Sequence, residues 1–106
     1  MLSEHDLHIA GQLKERLIQI TPIIKLLVYG SRARGEATPD SDLDVFIEVP
    51  TITPELRRSI SEIAWEVGID QGIVISTFVV TASDLQEGPV GANPLLKVVE
   101  EEGILV

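Results

Sequence analysis

Gly30-Ser31-Arg32-Ala33-Arg34-Gly35-Glu36-Ala37-Thr38-Pro39-Asp40-Ser41-Asp42-Leu43-Asp44 is the stretch on which the reading of this chain turns. It is polar and rich in turn-forming residues, and it lies between two apolar runs, Ile23 to Tyr29 and Leu43 to Val49, that carry many β-branched side chains. That pattern predicts a buried strand, a loop with room for one helical turn, and a second strand closed by Pro50. Asp42 and Asp44 stand two apart at the start of the second strand, so the period of two puts both carboxylates on one face, about 6 to 7 Å apart. Two carboxylates so placed repel each other unless a divalent cation lies between them, although two ordinary strand-start acids are the plainer alternative. Gly30 and Ser31 end the first strand with a tight turn, backbone N–H groups and a hydroxyl, which suits phosphate oxygens or a simple turn. Taken together, a phosphate cradle beside a carboxylate pair is what Mg²⁺-dependent phosphoryl chemistry requires.

Working outward, Ser3 with Asp6 forms a capping-box pattern, and Leu7, Ala10, Leu13 and Leu17 then recur at helical spacing. Beyond the second strand, Thr53, Pro54 and Glu55 supply an N-cap, an N1 proline and a first-turn acid. Leu56, Ile60, Ile63 and Val67 follow on one helical face until Gly68. Ile73 to Val80 is a third apolar strand, followed by a turn at Thr81 to Ser83, with Ser83 read as the cap and Asp84 as the first-turn acid after it. Asn93-Pro94 opens a last helix to about Glu102, with Gly103 as its C-cap and Glu100 to Glu102 as a solvated end.

The 106 residues suit one domain, 1–106, with a single core. A formal net charge of -9, from 8 Lys and Arg against 17 Asp and Glu, repels a phosphate backbone and argues against general nucleic-acid binding. With no Cys, thiolate metal sites and thiol nucleophiles are excluded, so a metal here is hard and oxygen-ligated. No apolar run approaches a membrane span and the first residues carry charge, so the expected location is cytoplasmic, with no membrane partner.

The spacing Gly-Ser, ten residues (Arg32 to Ser41), Asp-x-Asp resembles the signature of the minimal nucleotidyltransferase domain in the DNA polymerase β superfamily. The motif covers the quoted stretch, and the order of elements is similar over the rest. The resemblance implies an α/β (α+β) nucleotidyltransferase fold: a small mixed sheet of three or four strands with helices packed on one side. It implies that Gly30 and Ser31 bind a nucleoside triphosphate, with ATP the leading donor, and that the catalytic Asp42 and Asp44 ligate Mg²⁺. Arg32 and Arg34 stand beside the expected phosphates; either they stabilise phosphate charge, Arg32 being the nucleotide-binding candidate, or they pair with Glu36, Asp40 or Glu48. Stand-alone members of the family are often paired with a small helical protein, acting as the antitoxin that adds AMP to the toxin. The family's third carboxylate, on the next strand, has no counterpart in Ile73 to Val80. Asp70 is the nearest substitute as general base, with a plain turn role as the competing reading. A catalytically silent nucleotide- or partner-binding module is therefore the alternative function. Trp65 lies beside the apolar stripe of its helix and packs at its edge, or, if exposed, marks an interface.

Overall fold

Ser3 accepts the Asp6 N–H on its hydroxyl at 3.0 Å and so starts α1, Glu4–Leu17, in the computed structural model, which describes residues 2–87 and 93–106. After it come β1 (Lys25–Tyr29), α2 (Ser31–Arg34), β2 (Leu43–Val49), α3 (Pro54–Gln71), β3 (Ile75–Thr81), α4 (Ala82–Glu87), α5 (Pro94–Glu102) and β4 (Ile104–Leu105). The strands form one sheet in the order β3-β2-β1-β4. β1 is antiparallel to both β2 and β4, while β2 and β3 run parallel through the α3 crossover. The expected mixed sheet is present, with β4 as a fourth strand too short to carry a periodic signal in the sequence.

Alternation along β2 decides which side chains meet which helix. Leu43, Val45, Ile47 and Val49 join Leu26 and Val28 of β1 under α1 and α3, whose Leu13, Leu17, Ile60 and Val67 complete the larger core. The residues between them point the other way. Phe46 packs there with Tyr29, Val80 and Val99 of α5, and its ring meets that of Phe78 edge to face with centroids 5.6 Å apart. Thus the two long helices share one side of the sheet as expected, and the short α5 sits on the opposite side, which the expectation of helices on one side did not include. Asp44 has the same parity as Phe46, so its carboxylate lies on the α5 side.

Three local readings change. α3 runs past Gly68 to a left-handed Gly72. Gly68 stays within the helix because the returning chain lies against it: the Ile73 N–H donates to the Gly68 carbonyl at 2.9 Å, and a Cβ on Gly68 would lie 2.6 Å from the Ile73 oxygen. The cap of α4 is Thr81 instead of Ser83, with Thr81 and Asp84 exchanging side-chain-to-backbone hydrogen bonds of 3.0 Å in both directions. Trp65 does not pack at an edge; it is 66% exposed. Among the described residues no helix is long and apolar enough to cross a membrane.

Candidate active site

β1 ends where β2 begins, because the antiparallel register pairs Tyr29 with Asp44. Gly30 therefore turns the chain directly beside the Asp44 carboxylate. Its φ of 79° and ψ of −157° fall in a region open almost only to glycine, and a Cβ built there would collide with Asp44 Oδ2. Both the backbone angle and the close approach demand glycine. Gly30→Ala is expected to lose about 1–3 kcal/mol of stability from backbone strain alone. It should also displace Asp44, which urea denaturation and nucleotide-binding calorimetry on the same variant would show together.

Asp42 is exposed and Asp44 half-buried. Among the described residues neither carboxylate has a hydrogen-bond or ion-pair partner within the chain. Burial first, and the Asp42 charge second, push the Asp44 pKa above its ordinary value, with Arg34 partly offsetting them. Burial and then the charge of Asp44 likewise raise the Tyr29 hydroxyl. A half-buried carboxylate without donors, facing a second carboxylate, is an arrangement that a hard divalent cation relieves. Among the described residues no group of three or more His, Asp or Glu side chains is arranged to hold a metal by itself. Two carboxylates nonetheless suit Mg²⁺, which commonly takes one or two carboxylates and completes its shell with waters and substrate phosphates.

The Arg32 guanidinium is turned toward the loop. Its Nε and Nη2 donate to the Ser41 carbonyl at 2.9 and 2.6 Å, and its Nη1 donates to Asp6 Oδ1 at 2.9 Å. Within the loop the Ser41 hydroxyl accepts the Thr38 N–H at 3.0 Å. Arg32 thus clamps the residue before Asp42 and fixes where that carboxylate stands. The alternative of pairing with Glu36 is realised by Arg34 instead, at 3.0 Å. The Ser31 hydroxyl, at the start of α2, has no side-chain partner among the described residues and remains partly open to solvent.

Glu102 is the residue that sequence reasoning missed. The end of α5 brings its Oε2 to the Gly30 N–H at 3.3 Å and to Arg34 Nη1 at 2.9 Å. Its sequence context, Glu100 to Glu102, predicts only a solvated helix end. The available signal was electrostatic, since three consecutive acids at a helix C-terminus oppose the macrodipole and need a compensating partner. Asp6 is a second such residue: its capping-box pattern accounts for its N–H on Ser3 and gives no sign that its carboxylate reaches Arg32.

Asp70 lies exposed in the last turn of α3, over the side of the sheet opposite to Asp44. On β3 the residue level with Asp44 is Ser76, an exposed hydroxyl. Asp70→Asn is accordingly expected to leave any transfer activity within a few-fold of the parent; a loss of about 10²-fold or more would return it to the site as a base.

The model of the nucleotidyltransferase domain family matches residues 10–104. The chain belongs to that family. The nucleotidyltransferase domain has no significant match among curated proteins. Among solved structures it is similar to a chain in a crystal structure of the toxin-antitoxin with AMP-PNP, with a TM-score of 0.56 and 17% identity over 88% of this chain and 68% of that one. At that identity the likeness establishes a shared fold. In this nucleotidyltransferase domain the Gly-Ser turn and the Asp-x-Asp pair are brought together by one strand pairing, Tyr29 with Asp44.

Proposed function

We propose that the domain transfers a nucleoside monophosphate from a nucleoside triphosphate, with ATP the first donor to test, to a hydroxyl on a separate partner protein. The observation that carries this reading is the Asp44 carboxylate: half-buried, without a donor, facing Asp42 and pressed against the Gly30 turn. Asp42 and Asp44 would hold Mg²⁺, which when bound offsets the charge that develops on the phosphates. The Gly30 N–H and the Ser31 hydroxyl would bind the outer phosphates, and Arg34 would meet their charge. The acceptor oxygen bonds to the α-phosphorus while the bond from that phosphorus to the bridging oxygen breaks, releasing pyrophosphate. With Ser76 in place of a β3 carboxylate, the hydroxyl proton passes to the acceptor's own surroundings or to water. Arg32 contributes by positioning Asp42 through Ser41.

A phosphate on the Gly30 N–H must first displace Glu102, which holds that donor and Arg34 in the protein alone. Glu102→Gln is therefore expected to tighten Mg²⁺-nucleotide binding about three- to ten-fold, the scale of one screened charge interaction. Unchanged affinity by calorimetry would reduce Glu102 to a tether for α5.

The solved toxin-antitoxin structure, which contains AMP-PNP, supports both a nucleotide donor and a protein partner. The direct test is incubation with ATP labelled at the α-phosphate, Mg²⁺ and candidate helical partner proteins, followed by mass spectrometry. A gain of one AMP on the partner is expected. Absence of both transfer and Mg²⁺-nucleotide binding would overturn the reading. Nucleotide binding without transfer would select the silent module, a reading favoured by Ser76 at the third-acid level.

A further inference from the structure

β3 is an outer strand of the sheet, and beside it the packing of α3 leaves a groove of about 670 Å³. Trp65 and Ile69, one helical turn apart on α3, and Val74, just before β3, line this groove and are 66%, 58% and 63% exposed. Single exposed apolar side chains are ordinary on a soluble protein, but three around one concavity form the kind of anchor site that protein interfaces use. β3 reads Ile75-Ser76-Thr77-Phe78-Val79-Val80-Thr81, without a Lys, Pro or inward charge to blunt pairing.

Charge selects the occupant. Asp40 stands in the groove wall, Glu62 lies one turn before Trp65, and Asp70 directly follows Ile69. Arg57 and Arg58, the arginines of α3, lie near its first turn, at the other end of the helix. A second copy of this chain would add another -9 to an already acidic surface. We infer that the groove between α3 and β3 is the docking surface for a basic protein partner, one that presents an apolar side chain ringed by Lys or Arg. The other wall of the groove is Pro39 and Ser41, in the loop that ends at Asp42. A partner seated there therefore abuts the site's own loop. That this partner is also the acceptor rests on the transfer reading above; the contact itself does not.

Trp65 is the one tryptophan of the chain, so its emission reports on the groove. The test uses the full chain without nucleotide or metal, and two tryptophan-free peptides with the same central Leu-Phe pair, one flanked by Lys and the other by Glu. The Lys peptide should shift Trp65 emission to the blue, protect it from acrylamide, and bind more weakly as salt is raised to about 0.5 M. Ile69→Ser and Val74→Ser, both exposed and so compatible with the fold, should each weaken that binding, by about ten-fold where the side chain is an anchor. Circular dichroism checks that each remains folded, and either variant serves if the other does not fold. Equal binding of the two peptides, no binding of the Lys peptide, or variants that bind like the parent would overturn the inference. So would sedimentation of the chain alone as a dimer with Trp65 already shielded, which would assign the groove to a second copy. Because nucleotide is absent, failure here leaves the transfer reading standing, and failure of transfer leaves this result intact.

Discussion

Asp44→Asn should lose nucleotidyl transfer by roughly 10²- to 10³-fold or more, the scale of removing one preorganised charge-stabilising group, while remaining fully folded. The loss follows from the position of this carboxylate, which lies directly against the Gly30 turn. Stability should move in the opposite direction. Burial and the Asp42 charge raise the Asp44 pKa in the folded chain, so the unfolded chain gives up that proton at lower pH. Below the unfolded pKa the group is protonated in both states and contributes nothing. As pH rises from there through the folded pKa, the unfolded state gains, and the full cost to the fold is present above it. The Asn variant escapes that cost. Its melting temperature at neutral pH should equal or exceed the parent's, with the difference closing as pH falls below the carboxylate range. A variant that is both inactive and less stable would mean that Asp44 holds the fold together and is not reserved for a ligand.

The second large effect is on stability. Arg32→Ala should cost about 3–5 kcal/mol, because it strands Asp6 as an unpaired buried charge. The two side chains are only 10% and 6% exposed, so solvent cannot take over the role of the lost partner. A loss of that size is a large share of the roughly 5–15 kcal/mol that holds an ordinary domain folded, and thermal or urea denaturation would reveal it directly. The same substitution frees the Ser41 carbonyl, and with it Asp42, so metal-nucleotide affinity should fall in whatever fraction stays folded. Asp6→Ala combined with Arg32→Ala should cost less than the two single losses added, since neither charge is then left alone. Arg32→Ala that melts with the parent would show the ion pair to be incidental. If Arg32 contacted phosphate and braced nothing, Arg32→Ala would instead lower affinity and leave stability unchanged.

Features with a local physical cause were legible in the chain itself. Ser3, Thr53 and Asn93 are caps because a short polar side chain can satisfy an orphan N–H wherever a helix begins, and each does so. The strands around residues 25 to 29 and 43 to 49 followed from their apolar, β-branched runs. The spacing of Gly30, Ser31, Asp42 and Asp44 identified the candidate site, because β1, its turn and β2 are neighbours in sequence as well as in space. What the sequence could not decide was which distant groups meet. Asp6 and Arg32 are 26 residues apart and Gly30 and Glu102 are 72 apart. Those contacts exist because α1 and α5 pack on opposite sides of the sheet, and the pattern of apolar residues along a helix specifies its buried face without naming the surface it is buried against. Tertiary packing likewise set the Arg32 guanidinium on the Ser41 carbonyl and Asp6, took Asp70 to the far side of the sheet, and left Trp65 in the open.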